Sequence, residues 1–109
     1  MKLIKAIVRP NKIDDVREAL EKLNISGITV TEVRGHGKQK GHTAIYRGKE
    51  YNVSLLPKME VELVVDDESA DEAVKAIMQA ARTGEIGDGR VFVFPVDESY
   101  RIRTGERTA

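Results

Sequence analysis

Apolar and polar positions alternate from residue 2 to residue 9, with Ile4, Ala6 and Val8 on one side of the pattern and Lys5, Ile7 and Arg9 on the other. A period of two marks a strand with unlike faces, and Pro10 stops it. Proline suits a first helical turn, and Ile13, Val16, Leu20 and Leu23 follow at helical spacing, so the pattern predicts an amphipathic helix over 10–24, ended near Ser26 and Gly27. Residues 28–34 read as a second strand. After a long connection, Met59, Val61, Leu63 and Val65 alternate with Lys58, Glu60, Glu62 and Val64, the clearest strand pattern in the chain. Asp66 to Ser69 then opens a second helix. Ser69 and Glu72 have the spacing of a capping box, and Ala70, Ala73, Val74, Ile77, Met78 and Ala81 form an apolar stripe that runs up to Thr83 and Gly84. Residues 90–96 are the fourth strand.

Strand, helix, strand, long loop, strand, helix, strand is one unit repeated. That order predicts an α+β, ferredoxin-like βαββαβ fold, an antiparallel four-stranded sheet with both helices on one face. The opposite face would then show Ile7, Thr29, Val33, Val64, Phe92 and Phe94, with Lys58 and Glu62 among them. Such a face is too apolar to stand in water, which predicts that other copies cover it and that sites lie between subunits.

Composition narrows the function. A chain of 109 residues suits one domain, taken here as 1–109. Lys plus Arg and Asp plus Glu number 18 each, so no net charge draws the chain to polyanions, and direct nucleic-acid binding is not expected. The absence of cysteine excludes disulfides, thiolate zinc sites and thiol catalysis. Apolar runs such as 91–96 fall far short of the ~20 residues of a membrane span, and the start Met1-Lys2-Leu3-Ile4-Lys5 has no signal-peptide core, so a cytoplasmic location is expected.

Charge is unevenly spread. Residues 34–49 hold Arg34, Lys38, Lys40, Arg47 and Lys49 and no acid, inside a connection over 35–57 that is far longer than a simple hairpin needs. Gly35, Gly37, Gly41 and Gly48 lie there with Tyr46 and Tyr51, and composition leaves both a contact surface and a plain hairpin extension open. The acidic run 60–72 overlaps a helix start, where carboxylates suit the dipole. Thr83 to Arg90 joins a helix to a strand through Gly84, Gly87 and Gly89, so its amides are suited to cup an anion that Arg90 neutralises. The order is the reverse of a Walker A loop. In an extended tail Arg101 and Arg103 share a face and reach one phosphate-bearing ligand. His36 and His42 do not have a zinc spacing, whereas magnesium carried in by phosphates needs few protein ligands, and Gln39 offers one. No nucleophile, base and orienting partner fall together, so no catalytic residue is predicted and a non-enzyme is expected.

Tyr46-Arg47-Gly48-Lys49-Glu50-Tyr51, Leu56-Pro57-Lys58, the run from Thr83 to Val93 and the run from Arg101 to Glu106 together resemble the PII nitrogen-regulatory signal proteins (GlnB/GlnK type) over essentially the whole chain. The resemblance implies a homotrimer of ferredoxin-like subunits with a T-loop at about 37–55, a B-loop at about 82–90 and a C-terminal loop at about 99–109. It implies that ATP or ADP binds between neighbouring subunits, where Ile7, Thr29, Gly35, Gly37, Lys38, Gln39, Glu62 and Val64 meet Gly87, Asp88, Gly89, Arg90, Arg101 and Arg103. It further implies that 2-oxoglutarate joins Mg-ATP at the T-loop base near Gln39, Lys40, Gly41, Lys58 and Gly87, with Gln39 in the Mg2+ environment and Lys58 on the distal carboxylate.

By the same resemblance the T-loop carries the output to an ammonium transporter, adenylyltransferase, nitrogen sensor kinase or N-acetylglutamate kinase, membranes being met only through a transporter. Arg47 would touch the partner, and Tyr51 holds the position uridylylated or adenylylated in many bacterial members. Three positions depart from the common pattern: Lys38 for arginine, Arg90 for lysine, and Lys49 where cyanobacterial members carry a phosphorylated serine. The rival expectations are an adenylate sensor without a 2-oxoglutarate response and a slow ATP-hydrolysing enzyme.

Overall fold

A computed structural model describes residues 1–36, 43–46, 49–52 and 55–109, with backbone only for 43–46 and 49–52. In chain order the elements are β1 (Lys2–Val8), a 3-10 turn (Pro10–Lys12), α1 (Ile13–Glu21), β2 (Ile28–Gly35), β3 (Thr43–Tyr46), β4 (Lys49–Asn52), β5 (Leu56–Val65), α2 (Asp67–Ala81) and β6 (Gly89–Pro95). The main sheet runs β2-β5-β1-β6 with every neighbour antiparallel, and β3 pairs with β4 in a separate two-stranded ladder. Four antiparallel strands with two helices between them agree with the ferredoxin-like arrangement that the pattern predicts.

Alternation decides which side is buried. Ile4, Ala6 and Val8 of β1 and Val61, Leu63 and Val65 of β5 form a core with Val16 and Leu20 of α1 and Ala70, Ala73, Ile77 and Ala81 of α2. The alanines of α2 let that helix lie close against the sheet. Removing apolar surface from water stabilises by roughly 25 cal/mol per Å2, so this single layer is the main favourable term in folding. Leu23 and Met78, both expected in the helical stripes, are exposed, Leu23 beyond the end of α1 and Met78 within α2.

Several boundaries differ from the reading of the pattern. The first helix starts with a 3-10 turn at Pro10, where a missing N–H costs nothing, and Asp14 and Asp15 complement the dipole in the first α-turn. It ends earlier than Ser26: Asn24 takes a left-handed φ of 60° while the amides of Leu23, Asn24 and Ile25 return to carbonyls of the last turn. The Ser69–Glu72 capping box is not formed. Asp66 is the N-cap residue of α2, without a side-chain capping bond, and Ser69 lies inside the first turn with its amide on the Asp66 carbonyl at 3.0 Å. Asp67 instead accepts a hydrogen bond from the N-terminal ammonium at 2.7 Å, which holds its carboxyl below the usual range. The connection 35–57 contains β3 and β4, strands that the pattern did not reveal.

On the face away from the helices, Leu3, Lys5 and Ile7 of β1 stand in register with Val64, Glu62 and Glu60 of β5 and with Phe94, Phe92 and Arg90 of β6. Phe92 and Phe94 stack with ring centroids 6.5 Å apart, and both are exposed with Val64. The apolar open face read from the alternation is therefore present in the isolated chain.

Candidate functional site

The connection from α2 to β6 is built around one carboxylate. Asp88 accepts the amides of Thr83 and Gly84, each at 2.8 Å, and the Thr83 hydroxyl. Arg9, just past β1, donates Nε to the same carboxylate at 3.1 Å and Nη2 to the Ile86 carbonyl at 3.0 Å. Hydrogen bonds from Thr83, stronger than the opposing desolvation, and those from Gly84 and Arg9 hold the Asp88 carboxyl far below the usual range. The anion in this cup is thus the loop's own: Asp88 already occupies the Thr83 and Gly84 amides that the sequence reading offered to a ligand. The amides of Ile86 and Gly87 make no hydrogen bond among the described residues.

Lys58 reaches the loop from β5. Its Nζ donates to the Gly87 carbonyl at 2.7 Å, and its pKa is lowered, first by desolvation and then by the Arg9 charge, against the opposing pull of Asp88. The loop enters β6 through Gly89, whose φ of +106° and position leave no room for a side chain, since a Cβ would lie 1.7 Å from the Ile7 carbonyl oxygen. Arg90 then stands opposite Ile7 in the β1–β6 register. Ile7, Asp88, Gly89 and Arg90 line part of one groove of about 400 Å3, whose other wall is α2 through Val74, Ile77, Met78 and Ala81.

The remaining residues expected at a nucleotide cleft lie elsewhere in the chain. Thr29 and Glu62 face each other across β2 and β5, Val64 lies one step further along β5, and Gly35 ends β2 opposite Leu56. Gly37, Lys38, Gln39, Lys40, Gly41 and Arg47 lie outside the described residues, as does the side chain of Tyr51. Ile7 sits beside Arg90 within one chain, whereas the resemblance grouped it with Thr29 and Glu62.

The tail is not extended. Tyr100 pairs with Arg107, the Arg101 amide meets the Glu106 carbonyl at 2.8 Å, and the Gly105 amide meets the Arg101 carbonyl at 2.7 Å, so Ile102, Arg103 and Thr104 form a turn. Two-residue alternation therefore does not put Arg101 and Arg103 on one face. Neither these arginines nor Arg90 makes a side-chain hydrogen bond or ion pair among the described residues.

Sequence reasoning missed Arg9. A guanidinium meeting a carboxylate 79 positions later leaves no local signal, although a cation directly before Pro10 at a strand end was visible. Among the described residues no group of three or more His, Asp or Glu side chains could hold a metal, and no helix is long and apolar enough to cross a membrane.

The family model described as "Nitrogen regulatory protein P-II" matches residues 1–106. The chain is 56% identical over 107 residues to a nitrogen regulatory protein P-II of Rhodospirillum rubrum, covering 98% of this chain and 96% of that protein. It is 57% identical over 107 residues to one of Azospirillum brasilense, with coverage of 98% and 96%. It is 58% identical over 106 residues to nitrogen regulatory protein P-II 1 of Escherichia coli, with coverage of 97% and 95%. With the motif runs, the four-stranded sheet and matches over nearly the whole length, the chain belongs to the P-II family of nitrogen regulatory proteins.

Proposed function

We propose that residues 1–109 form a single P-II-type domain that acts as a cytoplasmic homotrimer and reports ATP, ADP and 2-oxoglutarate to target proteins. The observation that carries this reading is the preformed loop end of the sheet. One groove is lined by Ile7, Asp88, Gly89 and Arg90, and the Lys58 ammonium lies on the Gly87 carbonyl beside it. Those residues supply apolar surface for a base, amides at Ile86 and Gly87 and a free guanidinium for phosphate. Neighbouring chains complete the cleft in this reading: Thr29, Glu62 and Val64 come from one subunit and Arg101 and Arg103 from the tail. The row of Leu3, Val64 and Phe94 across the open face, with Val64 and Phe94 exposed, supports closure of that face by other copies.

The charge logic follows from Coulomb's law. A dicarboxylate beside a triphosphate is repelled unless a cation bridges them and another meets the far end. Magnesium carried by the phosphates is the bridge, with Gln39 as its protein ligand and Gly35, Gly37, Lys38, Lys40 and Gly41 at the T-loop base. Lys58 is the second cation; its partial desolvation strengthens any pair that it makes. ADP lacks the third phosphate and so disfavours 2-oxoglutarate. The T-loop at 37–55 changes shape with the ligand set, and Arg47 and Tyr51 meet the target, whether ammonium transporter, adenylyltransferase, sensor kinase or N-acetylglutamate kinase. Uridylylation of Tyr51 would add bulk and negative charge to that surface.

Calorimetric titration of 2-oxoglutarate tests the reading under four conditions: no nucleotide, Mg-ATP, ATP with chelator, and Mg-ADP. Binding with Mg-ATP alone is expected. Nucleotide binding without 2-oxoglutarate in any condition selects the adenylate-sensor reading, and steady phosphate release at catalytic rates selects a hydrolase. Sedimentation as a monomer overturns the assembly.

A further inference from the structure

The turn that leads into β6 has two orientations open to one of its peptides. Ile86 and Gly87 are the central pair of that turn, and Gly87 has a φ of +103°. A positive φ at the third position marks a type II turn and calls for glycine, whereas a type I turn has a negative φ there. The two forms differ by about half a rotation of the peptide between the central residues. Which form is taken decides whether the Ile86 carbonyl or the Gly87 N–H faces a given side.

Arg9 selects one of them. Its half-buried guanidinium is aimed by Asp88, whose carboxylate accepts Nε at 3.1 Å while it also accepts the Thr83 and Gly84 amides. The same rigid fork then sets Nη2 on the Ile86 carbonyl at 3.0 Å. Because the peptide is planar and trans, the Gly87 N–H points the opposite way, clear of the guanidinium. In the flipped turn that N–H would meet the guanidinium donor to donor. Lys58 fixes the following peptide in the same manner, donating to the Gly87 carbonyl at 2.7 Å. The Gly87 amide is left without a hydrogen bond among the described residues.

We propose that Arg9 is a positioning residue for a ligand phosphate: by holding the Ile86 carbonyl it keeps the turn in the form that offers the Gly87 N–H, without touching the ligand itself. This rests on the nucleotide reading above, in which that amide serves the phosphates. A cation acting only through its charge could be replaced by lysine. Positioning could not, because a single ammonium lacks the planar fork; drawn to the Asp88 carboxylate, it leaves the Ile86 carbonyl unheld.

The test measures ATP affinity by calorimetry on the full chain and follows the Gly87 amide resonance by NMR. Arg9→Lys keeps the charge beside Asp88, yet affinity is expected to fall about tenfold, and Arg9→Gln at least as far. Protection of the Thr83 and Gly84 amides should persist in Arg9→Lys, which shows that the rest of the loop is formed. Gly87→Ala disfavours the positive φ and turns the peptide over with Arg9 intact, so it should weaken binding by a similar factor. If both changes act through one peptide, the double variant Arg9→Lys/Gly87→Ala binds within about twofold of the weaker single variant. ATP should shift the Gly87 resonance in the native protein and leave it in place in Arg9→Lys. Native affinity in Arg9→Lys, losses that multiply in the double variant, or a native Gly87 resonance indifferent to bound ATP overturns the proposal. Should Arg9→Gln fail to fold, Arg9→Lys carries the test. A native protein that binds no nucleotide overturns the nucleotide reading and this proposal together, whereas native binding with unaffected variants removes this proposal alone.

Discussion

The loop between α2 and β6 and the turn at the C-terminus were both read as anion sites, the first for its glycines and the second for its arginines, and the fold treats them in opposite ways. In the loop, Asp88 takes up the Thr83 and Gly84 amides while Arg9, just past β1, and Lys58 of β5 hold the loop from two sides. In the tail, backbone bonds within residues 99–109 close the turn, and the side chains of Arg101 and Arg103 make no ion pair among the described residues. The loop is a finished part whose changes are felt in folding. The tail offers cations without a side-chain partner among the described residues, so under the proposed function its changes are expected to be felt in binding.

Glycine 89 gives the largest expected effect. An added methyl would overlap the Ile7 carbonyl oxygen, a backbone atom that cannot step aside, and the φ of +106° is unfavourable for any L side chain. Gly89→Ala is expected to cost more than about 3 kcal/mol, read by urea denaturation, with loss of amide protection along β1 and β6. Native-like stability would mean that the loop enters the sheet by another path.

Asp88 comes next. Asp88→Asn removes the charge that unites Thr83, Gly84 and Arg9 and is expected to cost about 2 kcal/mol, because hydrogen bonds to charged groups are the stronger class. The pH dependence has a fixed sign. A carboxyl whose folded pKa is depressed contributes its stability in full above the unfolded value near 4 and loses it as pH falls through the lower folded value. Protection of the Thr83 and Gly84 amides should therefore survive at pH 4 in the native protein and be absent at every pH in the variant. Equal exchange in both proteins would break the contrast between loop and tail.

Arg103→Ala sharpens that contrast from the other side. Its stability should stay within about 0.5 kcal/mol of native, since the side chain has no partner to lose among the described residues. Affinity for ATP should fall at least about tenfold, the cost of a charge-assisted donor taken from a phosphate. A stability loss with unchanged affinity would make the tail a structural part like the loop.

What was legible in the sequence follows the range of the physics. The alternation of Ile4, Ala6 and Val8 and of Val61, Leu63 and Val65 reports a buried face through neighbouring positions, so the core and the open face could be read directly. Helix ends were read less well because competing local signals lay within a few residues: Ser26 and Gly27 hid the left-handed Asn24, and Ser69 stood close behind Asp66. Short strands such as Thr43–Tyr46 hold too few positions for a period to emerge. The clasp on the loop was invisible, because Arg9 and Asp88, or Lys58 and Gly87, meet only after the sheet has closed. Glycine and arginine types drew attention to both segments, but composition cannot tell a cup already filled by its own aspartate from one left open.

The smallest effect is expected at Gly105, which completes the comparison with Gly89. Both glycines have positive φ, yet nothing lies within 4 Å of a Cβ built on Gly105, whose φ is +72°. Only the left-handed backbone penalty applies, so Gly105→Ala should cost about 1 kcal/mol or less. The strain would fall on the Gly105 amide bond to Arg101. Loosening that bond spreads the orientations of Arg101 and Arg103, so ATP affinity should drop a few-fold while the urea midpoint falls by less than about 1 M. A fall in stability as large as that of Gly89→Ala would show that the tail turn is packed in the assembled protein as firmly as the loop, and the unpaired arginines would then owe their freedom to geometry rather than to a missing ligand.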